Sequence, residues 1–164
     1  MSGKRSAGLL LYRVTDTGAD VLLGHMGGPF WSGRDAGAWS VPKGEYGPEE
    51  QPEAAARREF QEELGLVPPE GPWTPLGDSR QRGGKTVTVW AVEGDLDPAQ
   101  AVPGTFTMEW PRGSGVLREF PELDRFVWFP LADAVEPLVT GQRVFLERLG
   151  RCIGDGHRPS PPSH

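Results

Sequence analysis

Short apolar runs separated by turn-forming residues predict β-strands along much of the chain. The runs at 6–14 and 21–25 flank the sequence TDTGAD, which indicates two buried strands joined by a turn. The Gly-rich segment at 26–38 interrupts this pattern, and we expect a long loop of the kind that commonly carries function. The same reasoning predicts further strands at 39–44, 74–80, 85–96, 105–110 and 125–131.

A helical spacing replaces the strand pattern in the sequence PEAAARREFQEEL. Ala56, Phe60 and Leu64 recur every four residues, which places them in one apolar stripe. We therefore predict a helix that packs along this stripe, with Gly65 as its C′ residue.

The other helix boundaries are less sharply marked. Either Pro48 or Pro52 suits the first turn of the helix that ends before Gly65. Two more helical segments are predicted at 131–139 and 141–150.

Strands before, around and after helices indicate an α/β or α+β domain in which a mixed β-sheet lies between helices. Residues 1–150 are predicted to form this single domain. The segment 151–164 is rich in Gly, Pro and Ser toward its end, and we expect a disordered C-terminal tail.

Three carboxylates are concentrated beside the apolar stripe of the predicted helix. Glu59, Glu62 and Glu63 fall within an arc of roughly 100°. Like charges four residues apart on a helix repel by a few tenths of a kcal/mol per pair. We interpret this cost as a sign that the protein is incomplete without a cation.

Composition excludes several classes of function. The formal net charge of −6 over 164 residues argues against a surface that binds duplex nucleic acid. Cys152 is the single cysteine, so it is predicted to be a packing residue or a spare thiol, and a reducing compartment is expected. Because the start reads as a strand and no apolar stretch reaches the roughly 20 residues of a membrane span, we expect a cytoplasmic protein without a membrane partner.

The helix and its approach also match one long pattern. From Gly44 to Leu66 the chain reads G-x5-E-x7-R-E-U-x-E-E-x-G-U, where U is a bulky apolar residue. This stretch resembles the Nudix box, the signature of the Nudix hydrolases. The resemblance implies the Nudix fold and metal-dependent hydrolysis of a nucleoside diphosphate linked to another moiety.

The resemblance also implies roles for individual positions. The metal ligands would be three glutamates and one backbone carbonyl: Glu59, Glu62, Glu63 and Gly44. Such an all-oxygen set suits Mg²⁺, and Mn²⁺ accepts it. Arg58 matches the arginine that orients the glutamates, with Glu50 as its expected partner.

A further carboxylate is expected from the loop before the last core strand, because many Nudix hydrolases carry a ligand or a base there. Glu119, Glu122 and Asp124 are available, and Glu122 is the preferred candidate. Either Glu59 or Glu122 would accept the proton of the attacking water. His25, alone at a strand end, is interpreted as structural.

The residues that approach the box are similar to the Nudix branch that hydrolyses diadenosine polyphosphates and inositol pyrophosphates. In the sequence WSVPKGE, Lys43 is predicted to hold an outer phosphate as a point charge. The segment 85–96 resembles the diadenosine polyphosphate hydrolases too, but the tyrosine that stacks on the base in those enzymes is missing from GDSRQRGG. Arg80 or Arg82 could replace it by stacking or by binding phosphate.

Phe30, Trp31 and Trp39 could each provide an aromatic ring on which a base stacks, and Trp39 is predicted to be the substrate contact. The predicted substrate is a dinucleoside polyphosphate or a nucleoside triphosphate. The alternatives are the sanitation of damaged nucleoside triphosphates and, in another class, a non-catalytic nucleotide-binding module. The protein is expected to be a monomer or a homodimer.

Overall fold

The computed structural model describes residues 4–157, and seven strands of this range form one sheet. The strands are β1 Arg5–Thr15, β2 Gly18–Met26, β3 Trp39–Ser40, β4 Lys43–Glu45, β5 Trp73–Arg80, β6 Thr86–Glu93, β7 Thr105–Glu109, β8 Leu117–Pro121 and β9 Leu123–Pro130. The helices are α1 Pro52–Leu64 and α2 Arg143–His157. None of the helices in residues 4–157 combines the length and the hydropathy that a bilayer crossing requires.

Strand β1 lies at the centre of the sheet. The strand order is β3-β2-β1-β6-β5, with β4 added beside β1 and β9 beside β2. β1 runs parallel to β6 and antiparallel to β2 and β4. The prediction of a mixed sheet is therefore confirmed.

The two helices cover opposite faces of this sheet. Phe60 of α1 packs in one buried cluster with Leu9 and Leu11, whereas Leu10 belongs to the cluster that contains Phe145 of α2. Successive residues of a strand point to opposite faces, so the consecutive leucines of β1 serve both layers. The predicted sheet between helices is confirmed.

Helix α1 begins and ends at residues that the sequence marks. Pro52 occupies the first turn, where its missing N–H costs nothing, and Pro48 lies outside the helix. Gly65 ends it in the left-handed conformation with φ of 69°, and its N–H bonds the carbonyl of Gln61. A residue without Cβ adopts this conformation without strain.

The helix predicted at 131–139 is wrong. Only a short 3₁₀ turn, Leu131–Asp133, forms there. Pro137 disfavours the α-conformation of the residue before it, and the backbone instead bonds Trp39 on both sides, through the Pro137 carbonyl and the Val139 N–H.

Two other boundaries differ from the sequence prediction. The segment Leu117–Pro121 is a strand that was not predicted; it pairs with β7 in a separate two-stranded sheet. Helix α2 continues through His157, so the predicted tail at 151–164 begins inside a helix, and residues 158–164 lie outside the described residues. Cys152 is an exposed free thiol on this helix, which agrees with the spare-thiol alternative.

A buried glutamine in the turn just before α2 is hydrogen-bonded to the end of β3 and the residue that follows it. Gln142 is 1% exposed, and its Oε1 accepts the Val41 N–H over 2.9 Å. Its Nε2 donates to Ser40 Oγ over 3.0 Å. These bonds hold β3 and the approach to β4 in place.

Replacing Gln142 with Ala should lower the free energy of unfolding by about 2 kcal/mol, because the buried Val41 N–H loses its partner. Urea denaturation followed by circular dichroism measures this change. Gln61→Ala, at an exposed position of α1, is the matched control and should stay within about 0.5 kcal/mol of the parent. Equal stability of the two variants would contradict the claim that the hydrogen bonds of Gln142 stabilise the fold.

Candidate active site

A cleft of about 870 Å³ lies where β4, α1, the β5–β6 turn, the β8–β9 junction and the segment before α2 meet. The carboxylates that line it come from α1, β4 and the β8–β9 junction: Glu59, Glu63, Glu45 and Glu122. The cations come from β4 and from the β5–β6 turn with its flanks: Lys43, Arg80, Arg82 and Lys85. The cleft therefore combines a negatively charged part with a positively charged part.

Glu59 and Gly44 are in direct contact across the boundary between α1 and β4. Glu59 is 9% exposed, and a Cβ placed on Gly44 would overlap its carboxylate. Gly44 pairs with Ala7 of β1, so its backbone cannot retreat without disturbing the sheet. Any larger residue at position 44 would therefore displace the Glu59 carboxylate.

Arg58 holds carboxylates on two sides. Its Nε and Nη2 each donate to Glu50 over 2.9 Å in a bidentate pair, and its Nη1 donates to Glu59 and, over 3.2 Å, to Glu62. The predicted pair of Arg58 and Glu50 is therefore present. It lowers the pKa of Glu50 and raises that of Arg58, because each charge stabilises the other.

Glu63 is the carboxylate with the least support from its surroundings. It is 8% exposed, and its Oε2 is buried without a hydrogen-bond partner in the part of the chain that the structure describes. Burial, together with the carboxylates of Glu122 and Glu59, raises its pKa from 4.5 to about 8, although Lys43 opposes the shift. Because no hydrogen bond stabilises this oxygen, the carboxyl group is stable there only when a proton or a cation is bound to it.

The other charged groups of the cleft respond to burial as well. Burial raises the pKa of Glu59, and the carboxylate of Glu62 adds to this effect, while Arg58 opposes it. Burial also lowers the pKa of Lys43. Both shifts favour the neutral forms, so these groups gain most from a ligand that restores charge balance.

Glu62 is placed differently from the prediction. Its side chain is exposed, is bound by Arg58 and does not line the cleft. Among the described residues no three His, Cys, Asp or Glu side chains are grouped in a way that could hold a metal ion. The groups that face the cleft and fit a hard cation are Glu59 and Glu63, since the second has an unpartnered oxygen and the first lies against a backbone without a side chain.

The NUDIX domain family model matches residues 4–149. The chain belongs to the NUDIX domain family. No curated protein gives a significant sequence match to it.

Solved structures agree with the Nudix fold. The Ap4A hydrolase of C. elegans in a binary complex is 20% identical with a TM-score of 0.62, and the match covers 93% of this chain and 99% of that one. The NUDIX domain of NrtR from Shewanella oneidensis, complexed with ADP ribose, is 17% identical with a TM-score of 0.62 and coverages of 93% and 90%. RenU, a Nudix hydrolase from M. smegmatis, is 27% identical with a TM-score of 0.51 and coverages of 95% and 88%. Family membership and these hydrolases support a pyrophosphohydrolase enzyme.

The three candidates for the additional carboxylate of the site, Glu119, Glu122 and Asp124, lie in different surroundings. Glu122 lines the cleft close enough to Glu63 to raise its pKa. Glu119 lies within β8 opposite Thr107 and is exposed. Asp124 contacts His25 Nδ1 at 2.9 Å. Glu122 therefore remains the candidate that is in position to act.

His25 has a structural environment, as predicted. It is 2% exposed, and its Nε2 lies 2.6 Å from the carbonyl oxygen of Arg34 while Asp124 occupies the other nitrogen. Its ring joins the loop at 26–38 to β9, with no free nitrogen for proton transfer.

Trp39 is a correction to the predicted substrate contacts. It is 3% exposed and packs edge-on against His25 and Phe129, and it does not line the cleft. Its strand pairs with β2, which turns the indole into the core. Trp31 from the long loop lines the cleft instead.

Sequence reasoning missed two parts of the cleft wall. Gly141 and Gln142 contribute from the short turn just before α2, and no local motif marks them. Lys85 was noted only as the start of a strand, although the sequence RQRGGK already places three cations around a Gly-Gly turn. Lys43 and Arg80, by contrast, line the cleft as expected.

Glu63 makes the stability of the metal-free protein depend on pH. Between about pH 4.5 and pH 8 the folded chain keeps a proton that the unfolded chain has lost, so the free energy of unfolding should fall as pH rises and level off above pH 8. Glu63→Gln should reduce this dependence, because the smaller contribution of Glu59 remains, and it should be more stable than the parent at pH 8.5 by about 1 to 3 kcal/mol.

Urea denaturation in EDTA from pH 5 to pH 9 measures this effect. Glu53→Gln is the matched control, because Glu53 is exposed in the first turn of the same helix and its variant should follow the pH curve of the parent. A Glu63→Gln variant that loses several kcal/mol would show instead that Glu63 has a structural partner.

Proposed function

We propose that this Nudix protein is a metal-dependent hydrolase of a nucleoside diphosphate linked to another moiety, most readily a dinucleoside polyphosphate or a nucleoside triphosphate. The observation that carries the proposal is the carboxylate oxygen of Glu63, which is buried beside Glu59 and Glu122 and has no hydrogen-bond partner among residues 4–157. The same cleft contains cations that form no ion pair within that range, Arg80, Arg82 and Lys85. Carboxylates suit a cation and the cations suit phosphate, so one cleft accommodates both partners of a phosphoanhydride reaction.

Glu59, Glu63 and the backbone of Gly44 are the groups that would hold a divalent cation, and we propose Mg²⁺, with Mn²⁺ as a substitute. The unpartnered Glu63 oxygen and the close contact of Gly44 with Glu59 support this fit. Glu62 joins this set only if its carboxylate turns away from Arg58. A bound divalent cation would supply Lewis acidity toward a phosphoryl oxygen and toward water.

The remaining side chains of the cleft carry the other steps. Lys43 and Arg80 attract the phosphates and hold them against the carboxylate end. Arg58 keeps Glu59 oriented through contacts that leave its own charge fully compensated. Glu122, which lines the cleft beside Glu63, accepts the proton of the attacking water, with Glu59 as the alternative.

Two observations support the proposal that the substrate contains a nucleoside. The structural neighbours include an Ap4A hydrolase and a NUDIX domain complexed with ADP ribose, which are both connected with adenine nucleotides by their names. In the cleft itself, Trp31 offers an aromatic face that a base could stack on, a role for which Trp39 is too deeply buried.

Hydrolysis of diadenosine tetraphosphate, ATP and ADP-ribose should be measured with Mg²⁺, with Mn²⁺ and with EDTA. We expect turnover of at least one of these with either metal and none in EDTA. Glu59→Gln should lower kcat by at least about 100-fold. Glu53→Gln, an exposed position in the first turn of the same helix, is the matched control and should keep the parental rate.

Two results would contradict the proposal. Turnover that persists in EDTA would exclude the role assigned to the carboxylates. Binding of these nucleotides without turnover under any metal condition would favour the non-catalytic binding module.

A further inference from the structure

Two cations of the β5–β6 turn, Arg82 and Lys85, have no part in the proposed reaction at the carboxylates. We define the basic turn as residues 80–85, with Arg80 at the end of β5 and Lys85 just before β6. Arg80, Arg82 and Lys85 are exposed and line the cleft. Within residues 4–157 no carboxylate forms an ion pair with any of them, whereas Arg13 and Arg58 each bind two or more.

The shape of the basic turn is fixed by two glycines. Gly83 and Gly84 have φ of 80° and 82°, the left-handed region that favours glycine, and the Gln81 N–H donates to the Lys85 carbonyl over 2.6 Å. These features close a tight turn between two paired strands. Arg82 and Lys85 are therefore carried on a defined backbone.

The basic turn is also bound to the opposite wall of the cleft. Ser79 Oγ donates to the carbonyl of Gly141, and Gln81 Nε2 donates to the same oxygen over 3.0 Å. Gly141 has no side chain between its carbonyl and the Gln81 amide, and a Cβ there would displace that amide. This attachment fixes the position of the cations relative to the rest of the cleft before any ligand binds.

The sheet order separates the basic turn from the carboxylates. Gly44 lies on β4, which pairs with one edge of β1, whereas β6 pairs with the other edge and β5 follows it. Two to three strand spacings correspond to roughly 10 to 14 Å. An anion held by the backbone and side chains of the basic turn is therefore a different group from the one that meets Glu59 and Glu63.

Lys43 connects the two regions. Lys85 is near enough for the two ammonium charges to repel each other. Lys43 is balanced by nearby carboxylates such as Glu63, whereas Lys85 forms no ion pair within residues 4–157, so an anion beside Lys85 is attracted. A polyphosphate chain that extends from the carboxylates past Lys43 to the basic turn would relieve this repulsion along its whole length.

We infer that the basic turn, through Arg82 and Lys85, binds a phosphate of the substrate that lies beyond the cleaved linkage. This inference rests on the proposed function and narrows it: the substrate carries a chain of more than two phosphates, and the basic turn selects for that chain. A ligand with only one diphosphate, such as ADP-ribose, leaves the basic turn without a partner.

The test uses two substrates that differ only in phosphate number, diadenosine diphosphate and diadenosine tetraphosphate. For Arg82→Gln/Lys85→Gln we expect the KM for the tetraphosphate to rise by about tenfold or more, with kcat within about twofold. Any turnover of the diphosphate should be unchanged. Arg112→Gln removes one positive charge outside the cleft, on the β7–β8 hairpin, and is the matched control that should leave both substrates unaffected.

Three results would overturn the inference. Equal losses on both substrates would show that the basic turn contacts the base or the ribose, which the two substrates share. No change on either substrate would show that it contacts no part of them. A comparable rise of the tetraphosphate KM in Arg112→Gln would show a general effect of surface charge and not a site on the basic turn.

The inference and the proposed function fail in different ways. If the parental protein cleaves no phosphoanhydride, the proposed function fails, and calorimetry with inorganic tripolyphosphate still tests the basic turn. We expect the double variant to bind tripolyphosphate about tenfold more weakly than Arg112→Gln does. Equal affinities would overturn the anion site.

Discussion

A carboxylate buried without a hydrogen-bond partner is the constraint on which the site depends. Removing an ionised carboxylate from water is costly unless a proton, a hydrogen bond or a cation compensates it. Glu63 Oε2 has no hydrogen-bond partner within the described residues, and the repulsion from Glu122 and Glu59 adds to the cost, so the carboxyl holds its proton up to about pH 8 when no cation is bound. This unfavourable arrangement lies on α1, where the helix lines the cleft. We interpret the arrangement as a place prepared for a divalent cation.

The fold makes the arrangement possible by fixing the backbone on every side of it. β1 contributes leucines to both faces, α1 packs on one of them, and Gly44 brings β4 against Glu59. Arg58 compensates Glu50, Glu59 and Glu62 on the exposed side, whereas Glu63, on the inner side, forms no ion pair within residues 4–157. The cations of the cleft come from separate elements, so the site is assembled only when the whole sheet has formed.

Much of this could be predicted because the relevant signals are local. The spacing of Ala56, Phe60 and Leu64 sets the packed face of α1, and Gly65 marks its end, so the helix and its glutamates follow from sequence. The helix predicted at 131–139 failed because pairing of that segment with Trp39 is a long-range contact. The local sequence pattern also could not predict that Glu62 would lie on the exposed side of the helix, paired with Arg58.

The central claim is tested most directly by Mn²⁺ binding followed by electron paramagnetic resonance, in the parental protein and in Glu63→Gln and Glu53→Gln. We expect the parental protein and Glu53→Gln to bind Mn²⁺ with the same affinity, and Glu63→Gln to lose this binding. Unchanged Mn²⁺ affinity in Glu63→Gln, or no binding by the parental protein, would contradict the claim that this buried carboxylate exists to meet a cation.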